Sequence, residues 1–202
     1  MIPDDKVRLE FNPVAKMLHW VMAALIFVQF ILGGIIWESF SMFDGHTKSI
    51  ALQGHKATGM VILALALVRL TWRFTSPLPS FPSDLPKWEK IVATSIELTI
   101  YGLFILLPIV GWMIISTFAH PSTFLGFFTI PNLPALPDLA DKKGIRDILI
   151  TTHGLLSVIL LGLVMAHIGA ALKHHFIDRD EILFRMTPHV LERALRFLRG
   201  GV

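Results

Sequence analysis

The chain has 202 residues, 53% of them hydrophobic and 16% charged, with a formal net charge of +3 and a mean hydropathy of +0.64. Soluble domains carry about 25% charged residues, so this balance points to a membrane protein; the high pI of about 9.4 does not indicate nucleic acid, because the basic residues lie between apolar runs rather than in a patch. The absence of cysteine excludes disulfides, cysteine-ligated iron–sulfur clusters, thiolate catalysis and thioether-attached haem.

Four stretches are long and apolar enough to cross a bilayer, which takes about 20 residues of helix. The first covers about 17–37 and follows Lys6, Arg8 and Lys16, the arrangement of a signal peptide. It exceeds the usual length of a signal core and no A-x-A site follows it, so it reads as a mature helix. The second covers about 52–72, the third lies within 91–118 and the fourth covers about 148–172. Trp20, Trp37, Trp72 and Trp88 fall near the ends of these runs, as an aromatic belt requires, whereas Trp112 is less clearly placed. The connection from Ala119 carries Pro121, Pro131, Pro134 and Pro137, which break any regular helix, and its length suits a cover over one face of the bundle. Beyond the fourth run, "HVLERALRFLR" puts Val190, Leu191, Ala194, Leu195 and Leu198 on one face against Arg193, Arg196 and Arg199, the pattern of an interfacial helix over about 189–199.

The distribution of Lys and Arg sets the expected orientation. Five of the 18, Lys48, Lys56, Lys142, Lys143 and Arg146, fall on one side of a four-helix arrangement, and the rest share the side of both termini. The bias puts the N- and C-termini in the cytoplasm. The expectation is an all-α membrane protein forming one domain over 1–202: a four-transmembrane-helix up-and-down bundle with a short C-terminal interfacial helix.

Four histidines belong to the runs: His19, His55, His153 and His167. An ionisable side chain at membrane depth is costly and needs a reason. His153 and His167 are 14 residues apart, about 21 Å along a helix and about 40° around it, so the fourth helix offers two imidazoles on one face at two depths. Topology sets His19 level with His167 near the cytoplasm and His55 level with His153 near the outside. Two imidazoles at one level from different helices are what a bis-histidine haem needs, so the bundle is expected to enclose two b-type haems. A solitary histidine near a helix end more often satisfies itself by hydrogen bonding; four positions meeting depth and face constraints together argue against that reading here. Gly54, Gly59, Gly154, Gly169 and Ala170 offer room beside the ligands, or merely close helix packing. A zinc or manganese site would recruit carboxylates, and Glu97 is the one securely within a span.

"MLHWVMAALIF" (17–27), "HKATGMVILALALVRLTWR" (55–73), "IYGLFILLPIVGW" (100–112) and "HGLLSVILLGLVMAHIGAALKHHFIDRDEILFRM" (153–186) resemble the bacterial cytochrome b561 family of di-haem membrane proteins, over nearly the whole chain. The resemblance implies a bacterial inner-membrane location and places the axial ligands, which are also the metal ligands, at His19, His55, His153 and His167. Family members commonly carry a histidine on the third helix where this chain has Glu97. Some act as superoxide:ubiquinone oxidoreductases, so the resemblance implies ubiquinone as substrate and superoxide as a candidate donor.

A closed coordination sphere suits outer-sphere electron transfer. Lys48 and Lys56, with Lys142, Lys143 and Arg146, are positioned to steer an anion such as superoxide, or serve as solvated loop charges. Glu97, with Tyr101 one turn further on, is a candidate proton relay to quinone or a neutral structural acid. Arg8, Arg69, Arg73, Lys173 and His174 are candidates to pair with haem propionates. The leading function is electron transfer between an outer-face donor, superoxide, and ubiquinone. Its rivals are a subunit relaying electrons between quinone and a periplasmic dehydrogenase, hydrogenase or cytochrome, and a metal transporter with histidine sites. No nucleic-acid partner is expected; a homodimer is compatible with the sequence.

Overall fold

A computed structural model describes residues 10–37, 43–83, 85–118, 120, 122–134, 136 and 141–200. Four long helices dominate it: α1 Pro13–Ile36, α2 Gly45–Thr75, α3 Lys87–Ser116 and α4 Lys142–Lys173. Each begins before the apolar stretch that identified it, and in α1, α2 and α4 a side-chain cap starts the helix in polar sequence. Asn12 accepts a hydrogen bond from the Ala15 N–H at 2.9 Å with Pro13 at the first helical position, Asp44 accepts from Thr47 N–H at 2.7 Å, and Asp141 from Gly144 N–H at 2.9 Å. Pro108 sits inside α3 and supplies no N–H to the Phe104 carbonyl.

Packing follows chain order: α1 lies along α2, α2 along α3 and α3 along α4. Met22 and Ile26 of α1, Ile62 and Ala66 of α2, Leu103, Phe104 and Leu107 of α3 and Leu160 of α4 form one buried cluster. In each helix that carries a membrane histidine this cluster lies on the inward side of it in sequence, so the core occupies the middle of the bundle. The outward faces are apolar, with Phe27, Phe74, Ile91 and Ile148 all exposed. A bundle whose interior is small and whose exterior is apolar suits lipid as its solvent, because helices pair most of their backbone groups internally.

The third connection folds back on α3. A two-residue hairpin pairs β1 Thr123–Phe124 with β2 Phe128–Thr129 through a turn in which Leu125 and Gly126 take positive φ. Trp112 Nε1 donates to the Pro131 carbonyl at 2.8 Å, Leu133 N–H donates to Ser116 Oγ at 2.9 Å, and Arg146 donates to Thr117 Oγ1 at 2.8 Å. Trp112 is thus the anchor of this loop.

At the other end, α4 runs into a π-helical turn, His174–Asp178, then a short 3-10 turn, Leu183–Arg185, and α5, His189–Leu198. The start of α1 holds this segment: Phe11 N–H donates to the Arg185 carbonyl at 3.1 Å, Trp20 Nε1 to the Met186 carbonyl at 2.9 Å, and Lys16 Nζ to the Thr187 carbonyl at 3.0 Å and to Glu10 at 2.6 Å. Lys16 is buried and paired on both counts. Arg196 and Arg199 stack over Phe184 and hold Glu181 at 2.9 and 2.8 Å. Val190, Leu191, Phe197 and Leu198 of α5 remain exposed.

Burial pushes the Glu181 carboxyl up, but hydrogen bonds and charge from Arg199 and Arg196 outweigh it and the net shift is downward. A lowered folded-state value means the docking of α5 is fully supported above the ordinary glutamate range and weakens as pH falls through that lowered value. Protease nicking after Arg193 is expected to accelerate on acidification below the glutamate range, and Glu181→Gln should show the acid-state nicking rate already at neutral pH.

Candidate functional site

The four membrane histidines come together in two pairs. His19 of α1 faces His167 of α4, with ring centres 6.1 Å apart and planes inclined at 56°; His55 of α2 faces His153 of α4, also at 6.1 Å, with planes at 69°. These are the pairs that depth predicts from the sequence. Both join α4 to helices against which it does not pack along its length.

An imidazole nitrogen lies about 1.1 Å from its ring centre and a metal–imidazole bond is about 2.0 Å, so one metal held between two opposed rings puts their centres about 6 Å apart. Both pairs meet that spacing. The Nδ1 atoms of His55 and His153 are buried without a hydrogen-bond partner within ordinary limits, a condition native proteins rarely leave unexplained. The donor set, two neutral nitrogens per level in an apolar surround, suits b-type haem. Among the described residues, the clusters that bring three metal-ligating groups together are Glu10, His189 and Glu192, and His174, Asp178 and Asp180, and neither includes a histidine of these pairs.

The glycines that line the ligands differ from those expected. A methyl placed on Gly33 would lie 3.5 Å from His55 Cε1, and one on Gly111 would lie 3.4 Å from His153 Cε1. Gly154 and Gly169 have no such neighbour within 4 Å, while Gly54 meets Leu32 and Gly59 meets Gln29. Gly33 and Gly111 lie one helix away from the histidines they touch, and sequence adjacency gives no signal for that.

Around the His19 level the side chains form a polar network. Arg69 Nη2 lies 3.1 Å from His19 Nδ1, and Arg69 Nε donates to the Tyr101 hydroxyl at 2.8 Å. Arg73 pairs with Glu97 at 2.6 Å, and both guanidinium groups lie over the Tyr101 ring, at 5.2 and 5.7 Å from its centre. Glu97 therefore has an arginine partner on α2. Arg69, Arg73, Glu97, Tyr101, Trp72 and Met186 line a cleft open to the surface.

Lys173 and His174 already face protein carboxylates: Lys173 lies 2.7 Å from Asp178 and 3.5 Å from Glu89, and His174 Nδ1 lies 2.6 Å from Asp180. Of the sequence-predicted cations, Arg69 touches His19, and Arg73 is engaged by Glu97. Arg8 lies outside the described residues. At the His55 level, Lys56 Nζ donates to Ser122 Oγ at 3.2 Å, and the Lys48 backbone N–H donates to the Asp44 carbonyl at 3.0 Å.

A family model described as prokaryotic cytochrome b561 matches residues 10–189. The chain is 30% identical over 178 residues to "Cytochrome b561 homolog 2" of Escherichia coli (strain K12), covering 87% of this chain and 90% of the relative. It is 28% identical over 178 residues to "Cytochrome b561 homolog 1" of the same organism, covering 88% and 97%. A "Probable superoxide oxidase CybB" of Yersinia pestis is 28% identical over 179 residues, covering 85% and 92%. With four apolar helices of spanning length in place and most of its length matched, the chain belongs to the prokaryotic cytochrome b561 family of bacterial membrane electron-transfer proteins that bind b-type haem.

Proposed function

We propose that the chain carries two haems, held by His19 with His167 and by His55 with His153, and moves electrons from superoxide at the outer face to ubiquinone. The observation that carries this reading is the pair of matched 6.1 Å imidazole separations at two depths of one bundle. Haem with two imidazole ligands supplies one-electron redox chemistry with no open coordination position. The Lys and Arg bias puts both termini in the cytoplasm, which sets the His19 level inward and the His55 level outward.

The chain's own groups then divide by level. Lys48 and Lys56 flank His55 and supply positive potential toward which superoxide, an anion, is steered; each superoxide gives up one electron and leaves as oxygen. Two such electrons and two protons convert one quinone to quinol. At the inward level the cleft beside His19 offers a quinone ring the Tyr101 hydroxyl, the Arg69 and Arg73 guanidinium groups and the aromatic faces of Trp72 and Tyr101. Glu97 holds Arg73 there and is the carboxylate through which a proton reaches that cleft. Arg69 and Arg73 are also placed to meet haem propionates.

The similarity to a probable superoxide oxidase supports superoxide as the donor. A second reading, in which a periplasmic redox protein donates, is favoured by the exposed apolar tip of the hairpin, where Phe127 is 85% and Phe128 58% exposed.

Purified protein in detergent should contain two haems per chain, and His55→Ala and His167→Ala should each lose one. A superoxide source should reduce the haems and a soluble ubiquinone should reoxidise them at catalytic rates; haems that superoxide leaves oxidised would transfer the donor's role to a protein partner. Glu97→Gln should slow quinone-dependent reoxidation about tenfold or more with both haems retained. Unchanged turnover in that variant would remove Glu97 from proton delivery.

A further inference from the structure

His55 and His153 sit in the same local frame, although they belong to different halves of the chain. The first half folds as the α1–α2 hairpin and the second as α3–α4 with the long connection between them. In each half, the second helix carries an outer histidine and the first carries a glycine against it. The contact is the same on both sides. The ring edge that meets Gly33 is Cε1 at 3.5 Å and Nδ1 at 3.7 Å of His55, and the edge that meets Gly111 is Cε1 at 3.4 Å and Nδ1 at 3.8 Å of His153, measured to a methyl built on the glycine.

The carbonyl one turn before each glycine completes the frame. These carbonyls belong to Gln29 on α1 and Leu107 on α3, and the Nδ1 atoms of His55 and His153 have no partner within ordinary hydrogen-bond limits as the rings now lie. Residues 29 and 33, like 107 and 111, are four apart, so each carbonyl already accepts the glycine's own N–H within the helix and keeps a second lone pair. A bare glycine leaves that lone pair reachable from the neighbouring helix, where a larger side chain would cover it. On the α1 side the link is reciprocal, since Gln29 Nε2 donates to the His55 carbonyl at 3.1 Å. The inward ligand His19 has a different neighbour, the Arg69 guanidinium at 3.1 Å.

We propose that Gly33 and Gly111 are positioning residues for the outer imidazole pair: each bares a helix carbonyl, of Gln29 and of Leu107, to which the Nδ1–H of His55 and of His153 donates when the ring is ligated. This rests on the reading of His55 and His153 as ligands of one haem. A ligating histidine that donates its other ring N–H has its tautomer and ring plane held, leaving Nε2 for the metal. Because each clamp lies within one half of the chain, each half presents its ligand oriented before the two halves meet. The inclination of the outer rings in the ligated state is then set by the protein backbone.

The ferric signal of a bis-imidazole haem in electron paramagnetic resonance depends on the angle between the ligand planes, so the haem-loaded protein reports on the clamp directly. His55→Ala identifies the outer signal by its loss. Gly33→Val and Gly111→Val should each shift that signal and leave the inner one in place, whereas Gly33→Ala and Gly111→Ala should leave both, because a methyl meets the ring at ordinary contact distance. In the unsubstituted reduced protein, which is diamagnetic, 15N-histidine spectra should show the Nδ1–H protons of His55 and His153 protected from exchange with deuterium. That second measurement stands even if a valine variant fails to fold. Valine variants that leave the outer signal unmoved or displace both signals alike, or outer Nδ1–H protons that exchange freely, would overturn the clamp. Fewer than two haems in the unsubstituted protein would instead overturn the two-haem reading itself.

Discussion

The bundle is built around a seam that α4 crosses with imidazole at two levels. Helix α4 packs along α3, but toward α1 and α2 its close approach is made by His167 and His153 to rings 6.1 Å away. An ordinary four-helix bundle closes such a seam with interdigitated apolar side chains. Here the seam keeps the separation two rings need to share one metal, and the apolar cluster of Met22, Ile62, Leu103 and Leu160 fills the middle of the bundle. On the proposed function, cofactor binding completes the interior as well as the chemistry, and loss of either haem should loosen α4.

Charge lies against the rings at one level and is directed away from them at the other. Arg73 is paired with Glu97, and Arg69 is held between the Tyr101 hydroxyl and His19 Nδ1, so the cleft beside His19 holds one ion pair and one further guanidinium. Around His55 and His153 the immediate contacts are glycine backbone and carbonyl, and the nearest lysine, Lys56, reaches away to Ser122. The two levels present different electrostatic surroundings to groups of the same type. That asymmetry arises from side chains on α2 and α3 rather than from the histidines.

Segments outside the helices work as fasteners at the two ends. Trp112, Ser116 and Arg146 tie the proline-rich connection to the end of α3, and Lys16 and Trp20 tie the turn after α4 to the start of α1. Most of these bonds end on a backbone carbonyl or N–H, so irregular chain is satisfied by side chains projecting from regular helices. The π-helical turn at His174–Asp178 redirects the chain after α4 and buries His175 against Phe184 beneath α5.

The helical class, the number of long helices and their order were legible in the sequence because a membrane forces a simple code: about 20 apolar residues per crossing, aromatic residues at the ends and backbone satisfied within each helix. The pairing of His19 with His167 and of His55 with His153 was legible for a related reason, since helix rise converts sequence position to depth and depth alone matches the partners. What lies beside each ring was not legible. Gly33 and Gly111 were indistinguishable from packing glycines such as Gly59, the pairing of Glu97 with Arg73 depends on rotation of one helix against another, and that of His174 with Asp180 depends on the irregular turn after α4. Periodicity fixes which residues share a face of one helix, but only the packed structure decides which face meets which neighbour, because that choice is made by the sum of many small contacts across the interface.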